Sequence, residues 1–146
     1  MKTLGVFLVS VAVAYVLGAA TSSWIIAGNV ADLGLEVSFA DRLTWIAHDQ
    51  ISMLPLYLPT VLLSLLIGFW VATLIIKRLP NLRTLGYVLA GGLAMFAMHQ
   101  AVILYTDLHG LPATRTVAGM GLQVLAGMAG GYVFARLGRR VAAPAS

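Results

Sequence analysis

Four long apolar runs limit most strongly what this chain can fold into. Each is close to the ~20 residues that an α-helix needs to cross the hydrocarbon core of a bilayer. Hydrophobic residues make up 60% of the 146 residues and charged residues only 10%, whereas soluble domains average about 45–50% and about 25%. The sequence therefore predicts an all-α integral membrane protein with four transmembrane helices, at roughly 4–27, 54–76, 84–106 and 115–136.

The first run has two interpretations. Lys2, an apolar stretch and then Gly18-Ala19-Ala20 follow the order of a secretory signal peptide. The apolar character resumes at 24–27, which makes the run long enough to span the membrane. We therefore expect a retained helix in a single domain at 1–140, followed by a short cytoplasmic tail at 141–146.

The charged residues separate onto two sides if successive spans alternate in direction. One side carries seven basic residues: Lys2, Lys77, Arg78, Arg83, Arg136, Arg139 and Arg140. The other side carries two basic residues and all five acidic ones: Arg42, Arg115, Asp32, Glu36, Asp41, Asp49 and Asp107. Because basic residues accumulate in cytoplasmic loops, this pattern predicts an up-down-up-down bundle with both termini in the cytoplasm. We expect it in the bacterial inner (plasma) membrane.

Aromatic residues near the ends of the spans fit the interfacial belts of membrane proteins. Trp24, Tyr57 and Tyr105 fall near the predicted outer boundary. Tyr87 and Tyr132 fall near the inner one. All five are therefore expected at the membrane surface.

The long outer loop at 28–53 contains an amphipathic segment. Residues 38–54 carry apolar side chains at helical spacing, and Ser38 with Asp41 forms a capping-box pattern at the start. The segment is predicted to be an external amphipathic helix between the first two spans. Alternatively, it continues the second span as a helix bent at Pro55 or Pro59.

Polar residues inside the spans concentrate in the predicted outer half. His99 lies eight residues before Asp107, and Gln123 eight residues after Arg115, so both are about 12 Å deep at 1.5 Å per residue. The third and fourth spans share a short loop and are expected to be antiparallel neighbours. A contact between His99 and Gln123 is therefore predicted, with Gly127-xxx-Gly131 allowing close helix approach.

This polar layer is the candidate ligand-binding site. Its members are His99, Gln123, Gln100, Thr106, Asp107, Arg115, Thr21 and Thr60. An ionisable residue within a span is a functional-site hypothesis by default. The alternative for His99 is a structural hydrogen bond between helices.

A metal site is a further hypothesis, because all three histidines fall on the predicted outer side. His48, Asp49 and His109 offer nitrogen and oxygen ligands. No two histidines have the i, i+4 spacing of a helical metal motif, and haem held by two histidines would need a second deep one. With no cysteine, thiolate chemistry and disulfides are excluded. No spacing identifies a particular cofactor.

Catalytic motifs are missing, and this shapes the functional prediction. No nucleophile elbow or phosphate-binding loop is present, and the basic residues flank spans, so no nucleic-acid partner is expected. We expect a non-catalytic accessory or scaffold subunit that packs against itself or a larger membrane complex. The alternative is binding or transport of a small ligand, lipid or quinone in an outward-facing cavity around His99 and Gln123. A metal or haem protein is the third hypothesis.

Overall fold

The computed structural model describes residues 2–106 and 112–142. Across these ranges the regular elements are all helical: α1 (Lys2–Asp32), α2 (Phe39–Ser52), α3 (Leu54–Ile76), α4 (Arg83–Thr106) and α5 (Val117–Ala142). Short 3₁₀ turns at Pro80–Leu82 and Pro112–Arg115 precede α4 and α5. Helices α1, α3, α4 and α5 are long and apolar enough to cross a membrane. The prediction of an all-α chain with four membrane-length helices is therefore confirmed.

The helix boundaries follow local sequence signals. Helix α1 continues to Asp32, beyond the predicted end near 27, because no proline or charged run interrupts it. The chain then turns at Gly34, whose φ of 83° lies in the left-handed region that favours glycine. Pro80 opens the 3₁₀ turn that separates α3 from α4. The apolar runs thus fix the spans to within a few residues.

The four long helices form a ring in the order α1, α5, α4, α3. Helix α5 packs extensively on both α1 and α4, whereas α3 packs mainly on α4 and only weakly on α1. Paired residues run in opposite chain directions at the α1–α5 interface, where Gly130 packs on Ser10 and Gln123 reaches Gly18. Neighbouring helices are therefore antiparallel at this interface.

Glycines bring α4 and α5 into backbone contact. A Cβ atom at Gly91 would overlap the carbonyl oxygen of Gly127, and one at Gly127 would overlap that of Gly91. A Cβ at Gly131 would overlap the carbonyl oxygen of Tyr87. The α5 pair Gly127-xxx-Gly131 thus forms a small-residue motif that packs against α4.

Aromatic rings fill the bundle at the end that carries the chain's N-terminus. Phe69 stacks on Phe134 with centroids 4.7 Å apart, and Tyr87 meets Phe134 edge-on at 4.9 Å. Phe7 contacts both phenylalanines edge-on. Tyr87 is only 6% exposed, so its ring belongs to this core. The prediction that Tyr87 lies in a surface belt is wrong.

Helix α2 is a separate amphipathic helix with no buried residue. The predicted cap is confirmed: the Ser38 hydroxyl accepts from the Asp41 N–H, and the Asp41 carboxylate accepts from the Ser38 hydroxyl and N–H. Both hydrogen bonds to the carboxylate lower the pKa of Asp41, and the one from the Ser38 hydroxyl has the larger effect. Helix α2 ends at Ser52 and α3 begins at Leu54, so the break lies at Met53.

Polar contacts hold α2 against α1. The Tyr15 hydroxyl donates to the Gln50 carbonyl at 2.6 Å, and the Gln50 amide donates to the Val16 carbonyl at 3.1 Å. The Ser23 hydroxyl donates to the Asp49 carboxylate at 2.6 Å. These contacts define one end of the bundle, called here the α2 end.

Candidate functional site

Gln123 is the centre of a buried polar network near the α2 end. Its side chain is 0% exposed and projects from α5 toward both α1 and α3. The amide nitrogen donates to the Gly18 carbonyl at 2.9 Å, and the amide oxygen accepts from the Tyr57 hydroxyl at 2.6 Å. One amide therefore connects three of the four membrane-length helices.

Gly18 is required by the geometry of this network. A Cβ atom at this position would overlap the Tyr57 hydroxyl and lie 2.8 Å from the Gln123 amide oxygen. The close approach lets the Gln123 amide reach the Gly18 carbonyl while it accepts from the Tyr57 hydroxyl. Any larger residue would displace them.

Tyr57 is buried, contrary to the prediction of a surface belt. It is 7% exposed, and its ring packs on Tyr15 at 5.6 Å between centroids. Its hydroxyl bonds to Gln123 instead of interfacial water. Trp24, Tyr105 and Tyr132 are exposed, as expected of belt residues.

His99 lies beside this network and has one unused nitrogen. The side chain is 4% exposed, and its Nδ1 lies 2.8 Å from the Met95 carbonyl oxygen. Because a carbonyl oxygen only accepts, Nδ1 carries the proton, and the neutral ring presents a lone pair at Nε2. That nitrogen is buried and has no hydrogen-bond partner.

No hydrogen bond joins the side chains of His99 and Gln123, for which the sequence predicted a contact. The Nδ1 atom of His99 bonds within α4, while both ends of the Gln123 amide bond to α1 and α3. Tyr57 contacts both, with its ring centroid 6.3 Å from that of His99. The two residues share a layer of the bundle through Tyr57.

Ser22 is a second buried polar group without a partner. It is 0% exposed, and its hydroxyl makes no hydrogen bond. A helical serine commonly bonds the carbonyl one turn earlier, which here is that of Gly18. That carbonyl already accepts from Gln123 and Thr21.

The remaining predicted ligand residues are dispersed. The Thr21 hydroxyl donates to the carbonyls of Leu17 and Gly18, and Thr60 donates to Leu56, so both bond within their own helices. Gln100 and Arg115 line a separate surface cavity of about 470 Å³ between α4 and α5. Thr106 is the last residue of α4.

The predicted metal ligands are only partly described. His48 is exposed, and the Asp49 carboxylate accepts from Ser23. Asp107 and His109 lie outside the described residues. Within 2–106 and 112–142, no three His, Cys, Asp or Glu side chains converge as metal ligands would.

A long apolar groove runs along the outer surface of α3 and α4. Its volume is about 950 Å³, and it extends from Thr60 to Ile76 on α3 and up to Tyr105 on α4. Ser64 and Thr60 lie in it, but both hydroxyls donate to backbone carbonyls. The groove therefore offers an almost entirely apolar surface.

Sequence reasoning missed this groove and the role of Tyr57. A signal for Tyr57 exists: it begins a stripe of buried residues at helical spacing on α3, namely Tyr57, Val61, Leu65, Phe69 and Ala72. Such spacing marks the core-facing side of a helix. No protein-family model, curated protein or solved structure matches the chain.

Proposed function

We propose that this protein is a non-catalytic subunit of a membrane complex, and that its α3–α4 groove binds a transmembrane helix of a partner subunit. The observation that carries this proposal is the length of the groove. From Thr60 to Ile76, at 1.5 Å per residue, it extends over about 24 Å, most of a bilayer's hydrocarbon thickness.

The side chains of the groove support a helix as occupant. Where α3 meets α4, Gly68 lies against Ala90 and Ala94, and Ala97 and Ala101 continue the small residues along α4. Small residues let helix backbones approach closely in lipid. Large exposed residues border this strip: Leu63, Ile67, Val71, Ile75, Leu85, Leu89 and Leu93.

The interior of the bundle supports a structural role for the polar layer. Tyr57 donates to Gln123, and Gln123 donates to the α1 backbone at Gly18, which holds three helices in register. Transport of a quinone or lipid through this layer would have to break those bonds. We therefore rank the transport hypothesis second.

We also propose an orientation, with the α2 end outside and both termini in the cytoplasm of a bacterial inner membrane. Support comes from the basic residues at the opposite end. Arg139 donates to the Thr84 hydroxyl at 2.9 Å, and the Arg83 guanidinium lies against Gly138. Such clustering fits the positive-inside pattern.

Site-specific photo-cross-linking tests the groove. A photoreactive residue at Ala97, inside the groove, should yield adducts in native membranes that map to a transmembrane segment of one protein. The same residue at Ala12, an exposed alanine in the middle of α1, is the matched control and should give mainly lipid adducts.

A substitution that fills the groove tests the same contact with the partner helix. With the photoreactive residue moved to Ala101, which also lines the groove, Ala97→Trp should fill the groove and reduce the protein adduct at least tenfold, whereas Ala12→Trp should leave it unchanged. Adducts to the protein itself would identify a second copy as the occupant. Equal lipid adducts at both positions, with only monomers by native mass spectrometry, would refute the proposal.

A further inference from the structure

We propose that the bundle holds a small uncharged guest whose O–H group donates a hydrogen bond to His99 Nε2. The guest is either a water molecule or a membrane-soluble molecule that bears a hydroxyl group. This inference is independent of the α3–α4 groove, because it rests on the interior of the bundle.

His99 has a fixed tautomer. Its Nδ1–H is held by the Met95 carbonyl at 2.8 Å, so Nε2 is an acceptor with a lone pair. Native proteins leave very few buried polar atoms without a partner once ordered water is included. A buried, unpartnered Nε2 therefore marks the place of a donor that is not part of the chain.

No neighbouring side chain supplies this donor. The Tyr57 hydroxyl, next to the His99 ring, gives its one proton to Gln123. The Gln123 amide donates one N–H to Gly18, and its second N–H makes no hydrogen bond to the His99 ring.

The buried hydroxyl of Ser22 also has no partner. It lies one helical turn beyond Gly18 on α1, and so next to another member of the same network. Two buried groups on different helices, each adjacent to the network, are thus left unsatisfied by the chain. The His99 Nε2 accepts, and the Ser22 hydroxyl both donates and accepts.

The chemistry of the surrounding residues defines the guest. Tyr57, Gln123 and Ser22 are uncharged, and a charged guest would be left without a counter-charge in a low-dielectric interior. A metal ion needs several ligands around it, and His99 is not part of a three-residue ligand group among the described residues. An uncharged O–H donor satisfies both constraints.

Nitrogen NMR on the intact protein in bilayers tests the proposal. The chain has three histidines, so the double variant His48→Gln, His109→Gln leaves His99 as the only one. In ¹⁵N-histidine-labelled protein we expect a protonated Nδ1 and an unprotonated Nε2 whose shift shows an accepted hydrogen bond. The single variant His109→Gln retains exposed His48 as an internal reference for bulk-water contact.

The source of the O–H group is read from magnetisation transfer. Transfer from water to the His99 Nε2 identifies water as the guest. A hydrogen-bonded Nε2 without such transfer identifies a retained ligand, which mass spectrometry of a lipid extract should then contain. A free, non-hydrogen-bonded Nε2, or a proton on Nε2 and none on Nδ1, would overturn the proposal.

Discussion

At the scale of single residues, one buried amide sets how three helices meet. Gln123 accepts from Tyr57 on α3 and donates to Gly18 on α1. Interhelical hydrogen bonds in membranes average only about 0.6 kcal/mol, so this network adds little to stability by energy alone. Its effect is on register, because a helix that slides or rotates would bury these polar groups without partners.

Gly18→Ala tests this network at the residue scale. The added methyl group would overlap the Tyr57 hydroxyl, so we expect destabilisation of about 1–3 kcal/mol, the usual cost of overpacking a core. Reversible unfolding of the protein in bilayers or mixed micelles measures the change.

Gly28→Ala is the control for Gly18→Ala on the same helix. A Cβ at Gly28 has no atom within 4 Å, and alanine is the better helix former, so stability should stay the same or rise. If the two variants unfold at the same denaturant concentration, the close packing around Gly18 carries no energetic weight.

The sequence identified two members of the polar layer, His99 and Gln123, but not the hydrogen bonds that they make. His99 and Gln123 are both buried, as their positions inside apolar runs indicated. Their common neighbour Tyr57 was misplaced because a tyrosine has an apolar ring and a polar tip, and so fits a membrane surface or a core with a buried acceptor. Choosing between these required the position of Gln123 relative to α3, which depends on tertiary packing.

At the scale of elements, the bundle has two kinds of interface. Helices α4 and α5 meet through glycines whose backbones touch. Helix α3 instead meets α1 through large rings, with Phe69 edge-on to Phe7 and Tyr57 tilted on Tyr15. Close backbone packing therefore fixes α4 against α5. Between α3 and α1, large side chains keep the two backbones further apart.

Gly127→Ala tests the close interface. Its Cβ would overlap the Gly91 carbonyl oxygen, and backbone atoms cannot move aside as a flexible side chain can. We expect α4 and α5 to separate slightly and the free energy of unfolding to fall by about 1–3 kcal/mol.

Gly121→Ala provides the comparison within α5. A Cβ at Gly121 meets nothing within 4 Å, so the change in the free energy of unfolding should be near zero or favourable. A loss at Gly121 equal to that at Gly127 would show that helix glycines act here through backbone flexibility and not through contact.

Element boundaries were largely predictable because bilayer thickness sets the length of an apolar run. The exception was the α2–α3 junction, where the sequence allowed two interpretations: a separate amphipathic helix, or one helix bent at Pro55 or Pro59. Met53 has φ −82° and ψ −10°, a helical conformation, and Pro55 is allowed in the first turn of α3. No residue at this junction is a strong helix terminator. Local helix propensity therefore does not determine where the break between α2 and α3 falls.

At the scale of the whole molecule, the charges define the two ends. The sequence gives seven basic residues to one predicted side and two to the other. The antiparallel packing brings Arg83 of α4 next to the last turns of α5, where Arg139 bonds Thr84. The proposed membrane orientation depends on this asymmetry.

Single-cysteine labelling tests the orientation cleanly, because the chain has no cysteine. Asn81→Cys lies in the turn before α4 and Glu36→Cys between α1 and α2, and both positions are exposed. In intact cells, a membrane-impermeant maleimide should label Glu36→Cys and leave Asn81→Cys unlabelled until the membrane is permeabilised. The reverse pattern would invert the proposed orientation.

The ring order also determines when the fold can close during synthesis. Helix α1 leaves the ribosome before α5, yet α5 is its main partner among the four long helices. Until α5 is in place, the surface of α1 that carries Ser10, Gly18 and Ser22 lacks the helix that buries it in the folded bundle. The polar layer is thus completed only when Gln123 of α5 reaches Gly18 and Tyr57.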